Sequence, residues 1–501
     1  MAILKISNLL FAKINRIAVI FLLIPLMLSA FTHLWNPVGF PDIFYDEGVY
    51  MYRAMNVLAG LGPQTNTFHD HPFFGQFFLA GALSLTGYPD SLHPKPDVNS
   101  IQMLYLVPRV LMGLLAIADT FLIFKISERC YSTKVAFLAS ILFAVMPVTW
   151  LMRRILLDSI LLPFLLSSIL FAIYAKNSQY SKLFTMLSGI LLGIAIFTKE
   201  TAFIMIPLVA ILLYQNTKNK KALVLWFIPV ILIPLLWPAQ SIADNQFHKF
   251  IIDVFSQAHK QNHNFVNIVG NFTGYDPILL VLGIIGTVYA AIKRDLMILL
   301  WVIPFVIFLV SIGYVQYFYW IIILPAFCIA ASKFIIDKLD AAKKNNQHII
   351  IISLIACVCI FGLTVSTLLI TTNVSGQFEA AAYVIQNVHN SNTPNDSNNI
   401  TIISSPVYSW LFTYVYKMPD VVPDYRYILF HPTYTEKILL ISDTHFRDNI
   451  NTGKQLQDVY KNTVPIKKFY GGVLKYDIAS YPFTNMVPNY EGSVIEIREN
   501  K

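Results

Sequence analysis

The sequence predicts a mostly α-helical, polytopic membrane protein with about eleven transmembrane helices and a small extracytoplasmic α/β domain at the C-terminal end. Three observations predict it. Hydrophobic residues make up 56% of the chain against 13% charged, and mean hydropathy is +0.59, which excludes an ordinary soluble protein. The apolar residues come in repeated blocks of the length needed to cross hydrocarbon as helix, about 20 residues. Many of the 37 Phe and 26 Tyr flank those blocks, as interfacial anchors do.

The blocks place spans near residues 17–35, 105–125, 135–152, 156–175, 183–198, 201–215, 223–239, 277–292, 296–312, 317–333 and 348–370. Lys5, Lys13 and Arg16 precede the first in the manner of a signal peptide. No small-residue cleavage site follows, so an uncleaved first helix is expected. With the N-terminus cytoplasmic, the inner loops hold Lys125, Arg129 and Lys134; Lys176 and Lys182; Lys218, Lys220 and Lys221; Lys293 and Arg294; and Lys333, Lys338, Lys343 and Lys344. That follows the positive-inside rule at every turn and suits a multi-pass plasma-membrane protein. The formal charge of +8 therefore reports topology and not a nucleic-acid partner.

Residues 1–370 form the expected membrane module, with external loops at 36–104 and 240–276, and residues 371–501 the external α/β domain. Four glycosylation sequons, at Asn271, Asn373, Asn395 and Asn399, fall on that outer side. The tail reads as a helix from Glu379 to Val388, a polar loop to Asn399, and β-rich runs at Ile400–Ile403 and Lys437–Ile441, with no recognisable catalytic motif. In the first external loop, Glu47 to Leu61 reads as an amphipathic helix ended by Gly60-Leu61-Gly62-Pro63. Pro72 to Leu85 is a second apolar stretch, too short to span and suited to the interface. Cys130, Cys328, Cys357 and Cys359 all sit in or beside spans, so a disulfide framework is absent and small core residues are expected.

The candidate chemistry gathers at the outer ends of the spans. Asp46-Glu47 stands just beyond the first span, where carboxylates either cap a helix N-terminus or serve an active site. His69-Asp70-His71-Pro72 follows, either a loop turned by proline or a set of contacts to sugar, pyrophosphate or metal. Arg153-Arg154, Asp158 and Lys199-Glu200 are charges that topology does not explain. A charge at a helix centre costs about 2.5–3.5 kcal/mol, and less near the interface. One reading is a self-satisfied network, Arg154 with Asp158 at helical spacing and Lys199 beside Glu200. The other is a cationic pocket at headgroup depth, for a phosphate whose acyl or prenyl chain stays in the bilayer. His248, His259 and His263 add possible ligands, but nothing resembles His-Glu-x-x-His, so the metal signal is weak and a solvated His-rich helix is the favoured reading. No cofactor is signalled with certainty; a divalent metal is the one candidate.

From residue 17 to about 370 this arrangement resembles the polytopic glycosyltransferases of the GT-C class, specifically the protein O-mannosyltransferase and aminoarabinose-transferase branch (glycosyltransferase family 39-like). Relatives open an interfacial helix with an Asp-Glu dipeptide, as at Asp46-Glu47. They follow with a charged residue before Pro, as in Asp70-His71-Pro72, often with Lys where His71 stands and a second Pro where Phe73 stands. Arg153-Arg154 followed by Asp158, Thr198-Lys199, and Tyr317 with Pro325 match later elements in order. The resemblance implies an inverting glycosyltransferase that uses a polyprenyl (dolichyl) phosphate-linked sugar, with a protein Ser/Thr hydroxyl or an outer-leaflet lipid as acceptor. It implies Asp46 and Glu47 as catalytic, and Arg153, Arg154 and Lys199 at the donor phosphate. His69, Asp70, His71, Asp158, Glu200 and Tyr317 are then expected around sugar and acceptor. A transporter or flippase would instead put polar residues deep in several spans, where only occasional groups such as Asp119 are found. An adhesion or receptor protein would place function in the tail.

Overall fold

Long apolar stretches become helices here, and proline decides where they bend. The computed structural model describes residues 16–64, 68–86, 93–176, 178–260, 265–371, 376–391, 400–430, 437–470 and 494–500. Lys5, Lys13, His263, Asn373, Asn395 and Asn399 lie outside those residues.

The helices are α1 (Arg16–Leu34), α2 (Tyr45–Leu58), α3 (Phe74–Ser84), α4 (Val98–Cys130), α5 (Thr133–Val145), α6 (Leu157–Tyr174), α7 (Ser181–Thr198), α8 (Ile206–Thr217), α9 (Lys220–Leu232), α10 (Leu236–Ala243), α11 (Phe247–Ala258), α12 (Phe265–Tyr275), α13 (Pro277–Lys293), α14 (Leu296–Ser311), α15 (Leu324–Ala341), α16 (Asn345–Thr371) and α17 (Gly376–Ser391). Each expected span has a helix. Among the described residues six stretches are long and apolar enough to cross a membrane, or up to eight when two sharply bent pairs are each taken as one span. At least six crossings are therefore shown. α14 has only 16 residues, and the last turns of α15 carry Lys333, Asp337, Lys338 and Asp340. Outward faces are apolar, as lipid contact requires: Val224, Ile228 and Ile231 on α9, Ile284 and Val288 on α13, and Ile350 and Leu354 on α16 are exposed.

Two bends shape the end of the bundle that carries Asp46 and the C-terminal α/β unit. α5 stops at Met146, and Pro147 starts a 3-10 turn (Pro147–Arg153) inclined by 70°. α12 and α13 meet at 120° across Asp276-Pro277. The Asp276 carboxylate caps α13 through Leu279 N (2.9 Å) and also accepts from Val148 N (3.4 Å), tying the two bends together. The expected helix from residue 317 begins instead as a 3-10 turn, Tyr317–Ile322, with Pro325 opening α15. α13 and α15 approach closely at Gly286, where an added Cβ would lie 2.4 Å from the Ala330 carbonyl carbon.

The tail folds as an α/β unit. Strands β1 (Ile400–Ile403), β2 (Val421–Val422), β3 (Lys437–Ser442), β4 (Thr463–Phe469) and β5 (Ile495–Asn500) form one mixed sheet in the order β2-β1-β3-β5-β4. β1 is parallel to β2 and β3, with Ile402 opposite Leu439, while β5 is antiparallel to β3 and β4. α17 packs against α4 and the edge of this sheet, and the short helix α18 (Pro406–Trp410) packs on α2. Of the cysteines, Cys328 is buried, but Cys357 is exposed on α16, which corrects its expected place in the core.

Candidate active site

The site is built on α2. Its first turn carries Asp46 and Glu47, where the helix dipole favours negative charge. Glu47 is fully buried and completely engaged. It caps Phe44 N (2.9 Å), takes a bidentate pair from Arg109 (3.1 and 2.8 Å), and accepts from Ile155 N (3.1 Å). Burial pushes its carboxyl up, but Arg109 and Arg154 outweigh that and hold it below the usual range. With no face open to a substrate, Glu47 organises the frame.

Two arginines expected at a donor phosphate belong to the same frame. Arg153 donates to the carbonyls of Thr32 (2.6 Å), Asn36 and Phe40 (3.0 Å each), and to Trp35. It thereby satisfies carbonyls left open at the C-terminal end of α1. Arg154 pairs with Asp42 (2.5 Å), donates to the Asp42 carbonyl (2.9 Å), and lies 3.7 Å from Glu47. Both are buried, and the ordinary use of a buried guanidinium is to stay with such partners. The expected pairing of Arg154 with Asp158 is corrected: Arg154 takes Asp42 and Asp158 takes Lys199, neighbours set by the 3-10 turn and not by helical spacing.

Lys199, at the end of α7, reaches Asp158 on α6 at 2.7 Å and stands over the rings of Phe318 (4.8 Å) and Tyr319 (4.2 Å). Its partner is thus Asp158 and not the adjacent Glu200. Glu200 meets His71 Nδ1 at 3.1 Å. Burial pulls the His71 imidazole down, but Glu200 and Asp70 more than reverse this and raise it. Asp70 pairs with Arg53 at 2.7 Å, and Arg53 with His71 overcomes its burial to hold it low. His69 turns away, its backbone N and its Nδ1 each 3.0 Å from Asp253 on α11. Tyr317 is buried and packs edge-on against Phe44 (5.7 Å) and Tyr275 (6.0 Å).

Asp46 is the exception in this cluster. It is half-buried, and among the described residues no hydrogen bond or ion pair holds its carboxylate. Burial raises it to about 6, against Lys199 and His71, which lower it, while Asp70 and Asp158 push the same way as burial. The structure therefore brings Asp46, Asp70, His71, Asp158 and Lys199 into one electrostatic field, with Glu200 bound to His71. His69 turns away to Asp253 on α11, and Glu47, Arg153 and Arg154 lie behind the site. Among the described residues no group of three or more His, Cys, Asp or Glu side chains is arranged to hold a metal ion.

Four partners were not singled out from sequence: Asp42, Arg53, Arg109 and Asp253. Arg109 carried a signal, since it lies in the N-terminal half of α4, where the expected topology has no inner loop to place a cation. A fifth is Trp410. Its ring covers Gly48, and its Nε1 donates to Tyr105 Oη at 3.0 Å.

Residues 70–238 match the family model of dolichyl-phosphate-mannose-protein mannosyltransferase. The oligosaccharyltransferase of Archaeoglobus fulgidus in its apo form is similar with a TM-score of 0.56 at 12% identity, over 87% of this chain and 70% of that one. The chain has the GT-C glycosyltransferase fold. ArnT from Cupriavidus metallidurans, bound to undecaprenyl phosphate, shares it along almost the whole of both chains: TM-score 0.51, 12% identity, covering 96% and 97%. The archaeal oligosaccharyltransferase AglB in complex with an inhibitory peptide and a dolichol-phosphate gives 0.54 at 11% identity, over 86% and 70%. No curated protein matches in sequence. For this GT-C chain the resemblance read from its motifs is borne out, and identities this low speak for the fold.

Proposed function

We propose that the protein is an inverting membrane glycosyltransferase. It moves a sugar from a polyprenyl phosphate donor to a hydroxyl, probed first as protein Ser/Thr, at the outer membrane face. The observation that carries this reading is Asp46, the one carboxylate of the cluster without a hydrogen-bond or ion-pair partner among the described residues, the other acids there being paired. The solved relatives with undecaprenyl phosphate and dolichol-phosphate support the donor class.

A hydroxyl is a weak nucleophile, and Asp46, raised to about 6, is ionised at neutral pH yet basic enough to accept its proton. As the new bond forms between acceptor oxygen and anomeric carbon, the old bond to the phosphate oxygen breaks and its electron pair leaves with the phosphate. Cationic His71 and Lys199 offset the charge that develops there. The Arg153, Arg154, Arg109 and Glu47 frame holds α2 in place and touches no reacting atom. The N-terminus is then cytoplasmic and the α/β domain external, with the membrane crossed by the helices that the basic inner loops connect.

The test is transfer from a radiolabelled polyprenyl-phosphate sugar to a Ser/Thr peptide and, in parallel, to membrane lipid. Label in the peptide supports the reading. Label in lipid alone would move the acceptor to the outer leaflet, and label in neither would refute it.

A further inference from the structure

We propose that the wedge between α15 and α16 is a binding site for one anionic phospholipid, with an acyl chain in the wedge and the phosphate on the lysines above it. This does not depend on the transfer reaction. α16 is 27 residues long, yet its buried residues, Gly362, Val365, Ser366, Leu369 and Ile370, all lie in its second half. Over the first half it leaves a cavity of about 370 Å³ against the bundle, lined by Leu142, Leu282, Phe334, Ile355 and Val358 among others, with Lys338 the one charged residue of its wall. That volume lies within the range of ligand sites, about 300–1,000 Å³. Apart from Lys338 and the weakly polar Cys359 thiol the wall is hydrocarbon, and a gap of this kind stays dry. Left empty, it forfeits dispersion contacts on all sides, which a hydrocarbon chain restores.

The charge at its mouth selects the headgroup. Lys338 is exposed, and the segment joining the two helices carries Lys343 and Lys344. Lys293, at the end of α13, and Lys338 flank the same Tyr289 ring at 5.6 and 6.0 Å. None of these four lysines ion-pairs with a carboxylate among the described residues. The acids nearby are taken: Asp337 by Lys333, and Asp340 by Lys134 at 2.7 Å. Loop topology explains the sign of these charges, but not an apolar wedge opening directly beneath them. Basic pockets between membrane helices hold anionic headgroups.

The experiment is native mass spectrometry of the delipidated full chain titrated with dioleoyl phosphatidylglycerol or dioleoyl phosphatidylcholine. One phosphatidylglycerol should be retained with at least tenfold preference. The triple variant Lys338→Gln, Lys343→Gln, Lys344→Gln should reduce it to the phosphatidylcholine level. Val358→Trp, which fills the wedge, should abolish retention of either lipid. Leu354→Trp, at a more exposed position on the same helix, serves should that variant not fold. Equal retention of the two lipids by the unaltered chain, or unchanged retention in the filled variants, would overturn the proposal.

Discussion

Alanine at Gly48 tests whether the external domain really seats on the helix that carries Asp46. A Cβ there would lie 2.3 Å from Trp410 Cδ1 and 2.5 Å from Nε1, where ordinary contact needs about 3.5–4.0 Å. Trp410 is buried and tethered to Tyr105 Oη, so it has no free volume to retreat into. Overpacking of this kind costs about 1–3 kcal/mol. Losing the Trp410–Tyr105 hydrogen bond adds about 0.5–1.5 kcal/mol. The better helix propensity of alanine returns about 1 kcal/mol. The net expectation is a destabilisation of about 1–3 kcal/mol, read by thermal unfolding of the purified chain, with slower sugar transfer because Asp46 is two residues away. Trp410→Phe, combined with Gly48→Ala, should recover part of both. A Gly48→Ala protein more stable than the parent would show only the propensity gain and refute the seating of Trp410 on α2.

His71→Lys should keep transfer activity and flatten the alkaline limb of the pH–rate profile, since lysine stays charged where the raised imidazole loses its proton. The acid limb should remain near pH 6, because Asp46 acts as a base only when ionised and its carboxyl titrates at about 6. Glu47→Ala should cost about 3–5 kcal/mol and abolish folded protein in a thermal or size-exclusion assay, because Arg109 would be left buried without its carboxylate, while Arg154 would keep Asp42. Asp46→Asn should instead stabilise the chain by on the order of 2–3 kcal/mol at pH 7. The sign follows from a folded carboxyl raised from 3.8 to about 6. Ionisation opposes folding above pH 6, and below pH 3.8 the advantage of asparagine disappears, as unfolding at the two pH values will show.

The sequence exposed the acids and cations that topology could not place, and Asp46, Asp70, His71, Asp158 and Lys199 do share one field. It did not expose their pairings. Lys199 finds Asp158 from 41 residues away, and Glu47 finds Arg109 from 62, so helical spacing was a poor guide. Arg109 was hidden within an apolar span, although the rule that flagged Arg153 and Arg154 applies to it. The bends at Pro147 and Pro277 were averaged away by windows long enough to detect a span. The contact of Trp410 with Gly48 could not be read at all, because it exists only once the tail docks on α2. Gln377 makes the same point: its amide meets Ile43 N at 2.5 Å, across 334 residues.

The central claim is that one unpaired carboxylate performs the proton transfer. Sugar transfer by Asp46→Asn, with folding confirmed by its raised thermal midpoint, addresses it directly. Loss of a general base lowers rate about 10²–10⁴-fold, and a fall in that range is expected. A variant that transfers sugar within a few-fold of the parent would contradict the account.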